Sequence, residues 1–122
     1  MDKIDQLVNT ISPSPIIPGR KALVLAIYYT MQTDLSDGSL LSRDVYPLVA
    51  RDLNCSVNAA QKRLYRAIHF CWQEGENADF NAIVGRRLRR PPTVKSFLMY
   101  CSYFIQNRSP FHATSKESPS LA

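Results

Sequence analysis

Between Ser56 and Gly75 the sequence reads Val-Asn-Ala-Ala-Gln-Lys-Arg-Leu-Tyr-Arg-Ala-Ile-His-Phe-Cys-Trp-Gln-Glu. Wound as a helix at about 100° per residue, it sets Val57, Ala60, Leu64, Ala67, Ile68, Cys71 and Trp72 on one side. Asn58, Lys62, Tyr65, Arg66, His69 and Gln73 fall on the other. That second side carries amide, ammonium and guanidinium groups able to hydrogen-bond base edges, and an aromatic ring able to meet a thymine methyl or a sugar. It carries no carboxylate before Glu74. A donor-rich, acid-free face suits a negatively charged groove; a solvated face with a chance basic bias would give the same pattern.

The flanking residues position that segment. Ser56 is placed to cap a helix over 57–74 through its hydroxyl, and Gly75 stands where a left-handed end is wanted. Ahead of it, Val45, Leu48, Val49 and Leu53 share a face, and Pro47 belongs in a first helical turn, so a helix is expected from Tyr46 to Leu53. A short turn of helix is expected over 41–45. Short helix, turn Asn54-Cys55-Ser56, longer helix is the order of a helix-turn-helix. Phosphate contacts are expected from Ser56 at the helix start, from Arg63, and from the basic loop Arg86, Arg87, Arg89 and Arg90, although that loop could equally be solvated charge. Arg20-Lys21 and Arg51 are weaker candidates for backbone contacts.

The remaining chain reads as scaffold. Ile4, Leu7, Val8 and Ile11 predict a helix over 2–11, ended by Ser12-Pro13-Ser14-Pro15 and held off from the next by Pro18-Gly19. Leu23, Leu25, Ala26, Ile27 and Met31 are apolar around most of a helix from Arg20 to about Thr33, which marks it as central. A turn is expected at 34–38; its Asp37-Gly38 is also a hairpin signal, but no alternating strands flank it. A short helix over 79–84 capped by Asn77 or Asp79, a loop through Pro91-Pro92, and a last helix capped by Thr93 complete the bundle. The expectation is one all-α domain, a compact bundle of about six helices over 1–106, with a disordered tail over 107–122 rich in Ser, Pro and Thr.

Composition sets the bounds. The chain has 122 residues, 45% of them hydrophobic, enough for one core; its formal charge is +5 and its sequence pI is 9.3, which favours polyanionic partners. The apolar stretch from Ala22 to Met31 is about half of what a membrane span needs, and no signal peptide is evident, so a cytoplasmic location and no membrane partner are expected. Cys55, Cys71 and Cys101 are too few and too scattered for a disulfide framework or a zinc cluster, so no metal and no cofactor are expected. Trp72, Tyr28, Tyr29, Phe97 and Tyr100 read as core aromatics. No nucleophile, base and acid fall on neighbouring elements, and His69 and His112 make no catalytic pair, so an enzyme is not expected.

From Val45-Tyr46-Pro47 through Trp72, and on to Gly85 and Pro92-Thr93-x-x-x-Phe97, the chain resembles the C-terminal effector domain of the stage-zero sporulation response regulators of endospore-forming Firmicutes. The likeness spans about residues 4 to 106 and is strongest at Tyr46, Pro47 and Ala50, at Arg66-Ala67-Ile68 leading to Trp72, and at the Pro-Thr helix start. It implies a winged-helix-like, wholly helical effector fold that binds short DNA boxes and activates or represses transcription. Duplex DNA, RNA polymerase and a second copy of the chain on tandem boxes are the partners it implies. By position, Ala59 stands where the family has a guanine-reading arginine, and Gln61 where it has glutamate. Lys62 keeps a basic contact, Tyr65 replaces a further arginine, and Arg66 stands where the family carries histidine. With Asn58 and His69 these are the expected base contacts. The family's receiver domain has no room before the first proline cluster, and Met1 followed by a helix favours a stand-alone protein over an excised domain. The alternative reading is an interaction module derived from that domain, which binds a relative or the transcription machinery without reading bases.

Overall fold

The apolar spacing near the start becomes α1 (Asp2–Ile11), with Ile4, Leu7, Val8 and Ile11 buried. In the computed structural model, which describes residues 2–14, 16–33 and 41–110, five more helices follow. The second, α2 (Arg20–Met31), buries Ala22, Leu23, Val24, Ala26, Ile27 and Thr30 and touches four of the other helices. It is the central helix that its all-round apolarity implied, though it stops at Met31, short of Thr33. The expected turn at 34–38, with Asp37-Gly38, lies outside the described residues.

Gly19 starts α2 in the left-handed region, at φ 74°. A Cβ there would sit 2.3 Å from the carbonyl oxygen of Arg63, inside any tolerable contact, so the glycine is what lets α2 begin directly against the helix carrying Arg63.

A single π-helical turn, Leu41–Val45, leads into α3 (Tyr46–Leu53), whose first turn holds Pro47 as expected. Asn54 closes α3 in the left-handed region at φ 54°, one of the few conformations in which asparagine is at ease. Ser56 then caps α4 (Val57–Trp72): its Oγ accepts the Ala59 N–H at 3.1 Å. Three residues thus separate two helices that pack on each other.

The long helix ends two residues earlier than the expected Glu74. Gln73 and Glu74 both take positive φ, 48° and 56°, and a short 3-10 turn covers Gln73–Gly75. The cause is tertiary. Trp72 is buried with its indole N–H donating to the Leu88 carbonyl at 3.0 Å, and Gly75 (φ 81°) lies so close that an added Cβ would meet the same carbonyl at 2.9 Å. The chain must turn at Trp72 for the loop through Leu88 to close over it.

Asn77 caps α5 (Ala78–Val84), accepting the Phe80 N–H on its Oδ1 at 3.3 Å. Its Nδ2 also donates to the carbonyls of Ile11 and Cys71, each at 2.8 Å, so one side chain ties α1, α4 and α5 together. Thr93 caps α6 (Val94–Asn107), accepting the Ser96 N–H at 3.1 Å. Phe97 of α6 stacks on Phe80 of α5 with centroids 5.5 Å apart. The helix runs through Asn107, into the segment expected to be tail; residues 111–122 lie outside the described residues.

Over the described residues the protein is an all-α compact bundle of six helices. No strand occurs among the described residues, so no β-hairpin wing accompanies α3 and α4 there. Within the same bounds, no helix is long and apolar enough to cross a membrane.

Candidate nucleic-acid interface

The two sides of α4 separate much as its periodicity demands. Ala60, Leu64, Ala67, Ile68, Cys71 and Trp72 are buried. Val57, expected with them, is exposed at the first position of the helix. On the outer side Asn58, Lys62, Arg63, Tyr65 and Arg66 are exposed, while Ala59 and Gln61 are half-buried. Among the described residues no acid pairs with Lys62, Arg63 or Arg66.

A shallow hollow of about 420 Å³ runs beside this face, lined by Gln61, Lys62, Tyr65 and Arg66 together with Tyr46 from α3 and Val94 from α6. Four of the expected base-contacting residues therefore share one concavity. Tyr46 and Val94 were not expected there: they come from the first turns of two other helices, and only tertiary packing brings them to α4. Burial in the hollow's wall pushes the Tyr46 hydroxyl pKa up.

His69 sits differently from its neighbours on the outer face. It is half-buried, its ring 4.2 Å from that of Tyr65 and edge-on to Trp72 at 6.0 Å, and its Nε2 is buried without a hydrogen-bond partner. In this arrangement His69 props Tyr65, and its Nε2 faces inward and not toward a groove.

The expected phosphate contacts divide in the same way. The Ser56 Oγ accepts the Ala59 N–H as the cap of its own helix, which leaves its O–H free to donate beside the unpaired backbone N–H groups of the first turn. Arg86, Arg87, Arg89 and Arg90 are all exposed on a loop that Leu88 pins to Trp72, so the loop is held at the C-terminal end of α4. Arg87 also bonds Glu76 at 2.8 Å, whereas no acid among the described residues pairs with Arg86, Arg89 or Arg90.

Of the weaker candidates Arg20, Lys21 and Arg51, Lys21 is exposed and the two arginines are engaged. Arg20 lies 3.5 Å from Asp5. Arg51 pairs with Asp52 at 3.0 Å and donates to the Tyr29 hydroxyl at 3.1 Å, while that hydroxyl donates to Asp52. The Tyr29 hydroxyl, with Arg51 beside it, holds the Asp52 carboxyl below its usual range.

The three cysteines are free thiols. Burial pushes Cys71 up to about 11 and raises Cys101 as well. A second hollow, of about 480 Å³, opens between α1, α5 and α6, with Leu7, Ile83, Phe104 and Ile105 among its lining, and shares no residue with α4.

Fold and surface together define a small all-helical domain in which a short helix, a tight turn and a longer helix present a basic, acid-free face. No protein-family model, curated protein or solved structure matches the chain.

Proposed function

We propose that the chain is a sequence-specific, double-stranded-DNA-binding transcription regulator, akin to the sporulation effector domains, that reads the major groove with α4. The observation that supports this most is the outer face of α4, where Asn58, Lys62, Tyr65 and Arg66 stand exposed with no acid among them. An α-helix fits the roughly 12 Å width of the major groove, and lysine, arginine and asparagine are the side chains that bind guanine and adenine edges there. Arg63, the backbone at the start of α4 and the tethered arginine loop hold phosphates on either side. RNA polymerase and a second copy on tandem boxes are the further partners this reading implies.

The test is selection of duplexes from a random library, followed by binding of the selected duplex at several salt concentrations. A defined motif is expected. Lys62→Ala with Arg66→Ala should weaken binding by roughly 1–3 kcal/mol per lost contact and reduce the salt slope, whereas Arg51→Ala, whose guanidinium is already engaged by Asp52, should change little. If the double variant binds as tightly as wild type across the salt series, α4 is not the reading helix. The other reading, an interaction module without base recognition, draws on Ala59, a methyl side chain where a guanine contact is wanted. Failure of any motif to enrich would favour it.

A further inference from the structure

Tyr65 is a large side chain in the middle of the outer face of α4, with 55% of its surface exposed. No packing within the domain accounts for so much bare aromatic surface. Its ring is nevertheless held in place. It lies 4.2 Å from the His69 ring at an interplanar angle of 42°; His69 meets Trp72 edge-on at 6.0 Å and 75°; and Trp72 is pinned through its N–H to the buried Leu88 carbonyl. A column of three rings therefore runs from the core to the surface and ends in an apolar group fixed in position. Fixing the ring beforehand lowers the ordering cost of any contact it makes.

The surroundings of that ring specify its occupant. Gln61, Lys62 and Arg66 border the same hollow, and the cationic groups draw in a polyanion. Among the groups that B-DNA displays in its major groove, the one apolar group is the 5-methyl of thymine. A sugar contact would suit the rim of the interface, but Tyr65 lies in mid-helix, one turn from Lys62 and flanked by it and Arg66.

We infer that Tyr65 reads a thymine by packing its ring on the 5-methyl group, one to two base pairs from the base met by Lys62. The spacing follows from the helix: three residues advance about 4.5 Å along its axis, against about 3.4 Å per base step. The inference rests on the proposed reading of DNA by α4. It makes Tyr65 a specificity-determining residue that separates thymine from cytosine, and thymine from uracil, which presents the same hydrogen-bonding edge without the methyl.

The test uses the full chain and the duplex it selects from a random library, with each thymine replaced in turn by deoxyuracil. At one position the replacement should weaken wild-type binding by about fourfold, the worth of one buried methyl. Tyr65→Phe, which keeps the ring, should lose the same factor. Tyr65→Ala should bind the thymine and uracil duplexes equally, with a melting temperature close to wild type because the side chain is exposed. Wild type indifferent to uracil at every position, or methyl dependence that persists in Tyr65→Ala, would overturn the inference. If binding in that case still falls on Lys62→Ala, only the role of Tyr65 fails. If no duplex is selected at all, the DNA reading fails and this inference with it.

Discussion

Asn77 joins the ends of three helices, and its replacement separates what local preference predicts from what tertiary structure demands. Its Oδ1 caps α5, and its Nδ2 satisfies the carbonyls of Ile11 and Cys71, which lie in the last turns of α1 and α4. Asn77→Ala removes all three bonds. A lost cap of this kind costs about 1 kcal/mol, and each of two part-buried bonds to a carbonyl about 1 kcal/mol net, for a total of about 3 kcal/mol. At about 4 °C per kcal/mol for a domain of this size, the melting temperature should fall by about 12 °C. Asn77→Asp is the sharper perturbation. As a cap, aspartate ranks with asparagine, so local preference alone predicts a neutral change. In place, its carboxylate would keep the bond from Phe80 but would turn an acceptor toward two carbonyl oxygens where a donor had been. Its melting temperature at pH 7 should therefore be no higher than that of Asn77→Ala. Circular dichroism melts of the three proteins, with urea unfolding as a second measure, decide the matter. An Asn77→Asp protein that melts within about 2 °C of wild type would refute the idea that Asn77 acts as a three-way tie.

Two further outcomes follow from buried groups. Trp72→Phe strands the Leu88 carbonyl and should cost about 1–3 kcal/mol of stability in urea unfolding. By untethering the arginine loop it should also give a shallower salt slope for duplex binding; an unchanged slope would mean that Arg86, Arg89 and Arg90 do not hold phosphates. Burial raises the Cys71 thiol from 9.0 to about 11, so between those values the folded protein retains a proton that the unfolded chain releases. Stability due to this group is therefore fully present below about pH 9 and is lost as the pH rises toward 11. Urea unfolding from pH 8 to 11 should show a steeper decline for wild type than for Cys71→Ala, and equal declines would contradict the raised pKa.

The helices were largely legible in the sequence because each carries a physical start and a periodic face. Ser56, Asn77 and Thr93 each accept the backbone N–H that a cap should accept, and the buried side of α4 contains six of the seven residues its wheel assigned. What was not legible depends on distant chain. The end of α4 is fixed by the Leu88 carbonyl over Trp72 and Gly75, and nothing in the composition of Gln73 or Glu74 announces a left-handed pair. A wheel gives the angle of His69 but not its rotamer, so the turn of its ring toward Trp72 was invisible. The hollow's walls at Tyr46 and Val94 come from separate helices, and their approach to α4 depends on tertiary packing that no local pattern encodes.

Charge shows the same division, and it bears directly on function. A net charge of +5 is a property of the whole chain and says nothing about where the excess lies. The ion pairs Arg20–Asp5, Arg43–Asp44, Arg51–Asp52 and Arg87–Glu76 each set an acid against a cation outside α4. Lys62, Arg63 and Arg66, with Arg86, Arg89 and Arg90 in the tethered loop, are left without an acidic partner among the described residues. These six cations lie on one helix face and on the loop held at its end. A local field of this kind persists within the screening length of about 8 Å in physiological salt, whereas charge spread evenly over the surface would be largely screened. In the proposed reading it is the placement of Lys62 and Arg66 beside Tyr65, and not the net charge, that favours a groove of phosphates over a bath of counterions.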